Sequence, residues 1–80
     1  MASSASKIAE HHKKAAEHHE AAAQHHREAA KQQEAGQTEK AAHHAMIARS
    51  HARQAENHTD EAAKAHAEQY IKNKKLDRPS

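Results

Sequence analysis

The chain has 80 residues and a formal charge of +2, from 13 basic and 11 acidic side chains. Ala fills 21 positions and His 11, whereas Leu, Ile, Val and Phe together supply only Ile8, Ile47, Ile71 and Leu76. With no Cys, Trp or Phe and a single Tyr, this composition excludes a β-sandwich, a Rossmann domain and a disulfide scaffold, and no apolar run reaches the length of a membrane span.

In chain order, Met1–Ser6 carries no apolar stretch, so no secretory leader is expected and a cytoplasmic location is. From about Ser6 to Ala35 the residues are strong helix formers in a strict seven-residue repeat. The blocks read I-A-E-H-H-K-K, A-A-E-H-H-E-A, A-A-Q-H-H-R-E and A-A-K-Q-Q-E-A. The first row holds Ile8, Ala15, Ala22 and Ala29, and the second Ala9, Ala16, Ala23 and Ala30. The fourth holds His11, His18, His25 and Gln32, and the fifth His12, His19, His26 and Gln33. At about 100° per residue these rows fill one continuous face, opposite the charged residues.

The single glycine, Gly36, reads as the end of this helix, and Thr38 as the N-cap of the next, with a turn at 36–38. Glu39 then falls where negative charge suits the helix dipole. The second helix, from about Glu39 to Lys74, repeats the period, with Ala41, Ala48, Ala55 and Ala62 in one row and His44, His51, His58 and Ala65 in the next. Pairs such as Glu10–Lys14, Lys13–Glu17, Asp60–Lys64, Lys64–Glu68 and Glu68–Lys72 add support at helical spacing. Met1–Ala5 and Asp77–Ser80 read as frayed ends.

A connection this short makes the helices antiparallel neighbours, so the fold class is all-α: one helical hairpin over residues 1–80. Facing the two repeats gives layers whose residue numbers sum to 73: Ile8–Ala65, His11–Ala62, Ala15–His58, His18–Ala55, Ala22–His51, His25–Ala48, Ala29–His44 and Gln32–Ala41. Each sets one Ala against a larger side chain, which fills a tight seam without voids. The second and fifth rows of the first helix form another Ala/His face that matches itself antiparallel, His12 against Ala30 and Ala16 against His26. A homodimeric four-helix bundle is therefore expected, because a hairpin with so few large apolar groups is marginal alone. Met46, Ile47, Tyr70, Ile71 and Leu76 are expected to add contacts near the bundle ends.

The histidines carry the chemistry. Neutral imidazole ligates Zn, Cu and Ni, and the seam strings His11, His58, His18, His51, His25 and His44 in a zigzag between helices. These six, with His12, His19 and His26, are the candidate metal ligands. His separations within a helix are 1, 6, 7 or 8, never the 3 or 4 that lets one helix chelate, so any site must lie between helices. His18, His51, His25 and His58 are expected to matter more than His43 or His66. Zn or Cu(II) is the expected ion, Ni less so, and no organic cofactor is expected. The function expected is reversible metal binding for storage, buffering or resistance. The alternatives are a pH-responsive assembly, because protonating all histidines takes the charge to +13, and a structural or stress-protective helix without a physiological metal.

Other classes find little. Ser3, Ser4, Ser6 and Ser50 lack an Asp–His pattern, one Gly cannot form a phosphate loop, and an alanine seam is too tight for a porphyrin; no enzyme activity is expected. The small charge excess and the lack of stacking aromatics disfavour nucleic acid, and the lack of Trp, Phe and Leu anchors disfavours membrane binding.

Two stretches carry resemblances. Ala35–Ala42 resembles the hairpin turn of tetratricopeptide repeats over that turn alone, without the family's aromatic positions. The A-A-x-H-H blocks at 15–19 and 22–26, with A-A-H-H at 41–44, resemble small His- and Ala-rich helical bacterial proteins, a likeness spanning about residues 9–68. It implies a helical cytoplasmic bacterial protein and brings no activity.

Overall fold

The computed structural model describes residues 4–77, with side chains described for residues 5–72. Two helices, α1 (Ser4–Glu34) and α2 (Thr38–Asp77), pack against each other as a hairpin. α1 begins two residues before the expected start, and α2 continues three beyond the expected end. The Ala-, Glu-, Lys- and Gln-rich sequence offers no internal Gly or Pro to stop either helix.

The reversal is chemically specific. Gly36 has φ 78°, a left-handed conformation that costs an L-residue about 1–2 kcal/mol and glycine almost nothing. Its N–H donates to the carbonyl of Gln33 at 3.0 Å, and the Gln37 N–H donates to the carbonyl of Gln32 at 2.8 Å. These two bonds make a Schellman motif, which satisfies carbonyls that the end of α1 would otherwise leave open. The Ala41 N–H donates to the carbonyl of Gln37 at 3.0 Å. Gln37 is therefore the residue whose carbonyl accepts the first bond of α2. Thr38 already stands inside the helix rather than capping it, because Gln37, not Thr38, makes the exit from the Schellman turn.

The core is the alanine seam. Ile8, Ala15, Ala22, Ala41, Ala48, Ala55 and Ala62 are the buried hydrophobic residues, with Ala48 and Ala55 at 0% exposure. His11, His18, His25, His44, His51 and His58 are half-buried along the same seam, so small buried alanines alternate with rings over most of its length. Within the single hairpin, Met46, Tyr70 and Ile71, expected to add contacts near the bundle ends, are 71%, 64% and 58% exposed. Their helical rows point away from the seam. Ile47 is half-buried; the side chain of Leu76 lies outside the described residues.

The rod measures 67 × 22 × 13 Å, with a radius of gyration of 18.6 Å, against about 12 Å for a compact 80-residue domain. Its accessible surface is 6442 Å², where roughly 4,800 Å² is usual for a folded chain of this mass. Among the described residues, the buried side chains all lie in this one seam. Surface ion pairs add little: Glu10–Lys14 stands at 3.4 Å as expected, while Lys64 reaches Glu61, three residues back, at 3.6 Å. Among the described residues, no helix is long and apolar enough to cross a membrane.

A ladder of imidazole pairs between the helices

Three His pairs bridge the seam through their Nδ1 atoms. His11 and His58 are 3.1 Å apart, His18 and His51 3.0 Å, and His25 and His44 3.1 Å. Within each pair, one Nδ1–H donates to the lone pair of the other Nδ1, so two neutral rings of a pair hold opposite tautomers. The heptad explains the recurrence: each pair lies one seven-residue step, about 10.5 Å of helix, from the next.

Between pairs the rings stack. His58 lies on His18 with centroids 5.8 Å apart and planes 8° off parallel, and His51 lies on His25 at 5.8 Å and 11°. Within pairs the centroids are 5.3–5.4 Å apart and the planes tilt by 28–35°. The six rings therefore form one unbroken series, His11, His58, His18, His51, His25, His44, alternating between helices. That is the zigzag expected from the 73 register. The alanines set its spacing, because only methyl-sized residues in the alternate positions let two imidazoles meet across so narrow a seam.

The remaining candidate ligands fare differently. His12 meets His66 through Nε2, 3.1 Å apart, with centroids at 5.3 Å and planes tilted by 46°. His19 and His26, in the same row of α1, are exposed. His12–His66 matches residue numbers summing to 78, and the same register sets His19 beside Thr59 and His26 beside Ala52, neither of which is an imidazole. His66, ranked below the seam rings, is exposed and is also a paired ring. The signal was present: α2 carries His44, His51 and His58, then Ala65 and His66, so the fourth ring is displaced by one residue. His43 is exposed and touches the ring of His44 edge-on at 6.0 Å.

Carboxylates stay outside the ladder. Glu28 accepts a hydrogen bond from the Gln32 amide at 3.3 Å, and Glu10 and Glu61 bind lysines. Among the described residues, no group of three or more His, Asp and Glu side chains converges as a metal-holding cluster. The unit of chemistry here is the imidazole pair. Comparison with protein-family models, curated proteins and solved structures finds no match.

Proposed function

We propose that the hairpin binds divalent transition-metal ions reversibly at its inter-helical histidine pairs, as a buffering or storage protein. The observation that carries this reading is the threefold recurrence of two Nδ1 atoms, one from each helix, at 3.0–3.1 Å. Metal–nitrogen bonds of about 2.0–2.1 Å place cis ligands about 2.9 Å apart at 90° and about 3.4 Å apart in a tetrahedron. The observed separations fall between these values, so an ion fits between the two nitrogens at nearly the same spacing once the bridging proton moves to the Nε2 of its own ring and both rings turn their Nδ1 lone pairs toward a common point. Both rings then carry their proton on Nε2. Cu(II) suits the 90° arrangement and Zn the tetrahedral one, with Ni(II) also accommodated.

Two protein ligands per ion leave the other positions to water or small anions. Such sites favour exchange over permanent retention, which suits buffering or resistance better than a structural role. Clamping one ring from each helix stabilises the folded hairpin by an amount set by affinity and free ion. The test is thermal unfolding by circular dichroism at pH 7.5 on chelator-stripped protein, repeated with rising Zn²⁺ or Cu²⁺. The expected result is an upward shift of the midpoint that saturates at a small whole-number ratio, with one equivalent lost in the double variant His18→Gln, His51→Gln. A shift that never saturates, or no shift, overturns the proposal.

A second reading, a pH-responsive hairpin, is favoured by the same Nδ1–Nδ1 bonds, because two protonated rings have no lone pair left to share and repel at close range. Metal dependence at constant pH separates the two, since protons compete with metal for the same nitrogens. The two-fold dimer belongs to this proposal as well. Ala9, Ala16, Ala30, His12, His19 and His26 form an exposed face of α1, and the surface left open by a single seam supports a second copy there. With the His12 ring already against His66, that interface would rest mainly on Ala16, Ala23, His19 and His26. Light scattering at micromolar concentration reads it: a mass near 18 kDa is expected, twice the 8.9 kDa chain.

A further inference from the structure

We infer that His12 and His66 form a separate, solvent-open site for a hydrated divalent transition-metal ion, distinct from the ladder in position, in ligating atom and in exposure. It extends imidazole metal binding to a pair outside the seam, and it does not require the seam to load.

The case begins with a break in the repeat. Continuing the series His44, His51, His58 places the next imidazole of α2 at 65, but the residue there is Ala and the imidazole is His66. One residue turns a helical side chain by about 100°. The displaced ring leaves the seam and arrives beside the flanking row of α1, where His12 stands. Of the three histidines in that row, His12 alone gains a ring from the other helix: the 78 register faces His19 with Thr59 and His26 with Ala52. The pair is thus made by a specific placement, not by a general excess of surface histidine.

Its chemistry differs from the ladder's. The atoms that meet are Nε2, at 3.1 Å, which leaves each Nδ1 to hold the proton when both Nε2 lone pairs bind a metal. Both residues are exposed, so an aquo ion reaches the two nitrogens without parting half-buried rings. Among the described residues, neither ring takes part in the stacks that tie successive seam pairs together. The ion would keep water or a small anion in its remaining positions, and this pair should fill before the seam pairs do.

The experiment is a Zn²⁺ titration of the full chain at pH 7.5, followed by long-range ¹H–¹⁵N correlation spectra of the histidine rings, which tell Nε2 from Nδ1 ligation. In the first equivalent, the Nε2 signals of His12 and His66 should shift together while those of His19 and His26 stay in place. His66→Gln should abolish the shift at His12 and remove one equivalent of bound Zn²⁺, with the Nδ1 responses of the seam rings retained. His43→Gln, at an exposed histidine outside both the pair and the dimer face, should leave the joint response of His12 and His66 in place. Circular dichroism confirms that both variants remain helical. Equal shifts at His12, His19 and His26, or a His12 response that survives His66→Gln, would overturn the site and leave adventitious surface binding only. A response at the seam Nδ1 atoms without one at His12 and His66 sinks this site and spares the proposed function. The reverse pattern sinks the seam reading and spares this site, and silence at both sinks both.

Discussion

The seam pair His18–His51 and the outer pair His12–His66 bring ring nitrogens to nearly the same separation, 3.0 and 3.1 Å, in opposite surroundings. The first is half-buried, meets through Nδ1 and is stacked on His58 and His25. The second is exposed and meets through Nε2. What separates them is whether the ring is also structure. A seam imidazole holds the helices in register, so anything that alters its proton or its ligand acts on the fold. An outer imidazole is positioned by a fold that would persist without it. A helix with so little aliphatic surface thus makes its imidazoles serve as core.

Acidification should open this contrast most widely. A doubly protonated pair exchanges a hydrogen bond for repulsion, because neither Nδ1 of a seam pair then keeps a lone pair to accept with. Lowering the pH from 7.5 to 5 should therefore destabilise the hairpin, by about 1 kcal/mol for each seam bond lost. Urea unfolding across this range should show the loss in the parent and in His66→Gln alike, because the outer pair contributes little to it. An acid-insensitive parent would refute the structural role of the seam rings.

Next in size is the alanine on which the ladder depends. Ala55 is 0% exposed and shares a layer with His18. Ala55→Leu should cost about 1–3 kcal/mol through overpacking, a large share of what so lean a seam supplies, and should be seen as a lowered and broadened thermal transition. Both classes of pair should go together, since both need the helices in one register.

Single rings should follow their number of neighbours. His18 touches His51 and His58, while His11, at the end of the ladder, touches only His58 among the seam rings described. His18→Gln should lower stability by about 1 kcal/mol, His11→Gln by less, and His66→Gln least, in chemical denaturation at pH 7.5. Equal losses would mean that the stacks carry no weight. Smallest of all is Lys14→Ala, which removes an exposed ion pair to Glu10 and should cost no more than about 0.5 kcal/mol. It serves as the baseline for the others.

Much of this was legible in advance because a heptad repeat needs only phase. Gly36 identifies the turn, and once two repeats in phase are folded there, the order of the six seam rings follows. His66 was harder to read. Its meaning lies in a neighbouring register, summing to 78 rather than 73, which becomes visible only when the flanking rows of the two helices are set side by side. Thr38 was misplaced for a local reason: a Schellman turn hands the first accepting carbonyl to Gln37, whatever the capping propensity of the next side chain. The exposure of Met46, Tyr70 and Ile71 shows that apolar character alone does not bring a residue inward when its helical row faces solvent.

By itself, then, the sequence determined two helices, their turn and a seam in which alanine alternates with a larger group, because helical periodicity and glycine's left-handed freedom are local properties of the chain. Only the tertiary structure decided which nitrogens meet, Nδ1 in the seam and Nε2 outside it, and which histidines remain without a ring from the other helix. Those outcomes depend on the rotation of each helix against its neighbour and on how closely alanine lets the two backbones approach, and neither quantity is written in the spacing of residues along one helix.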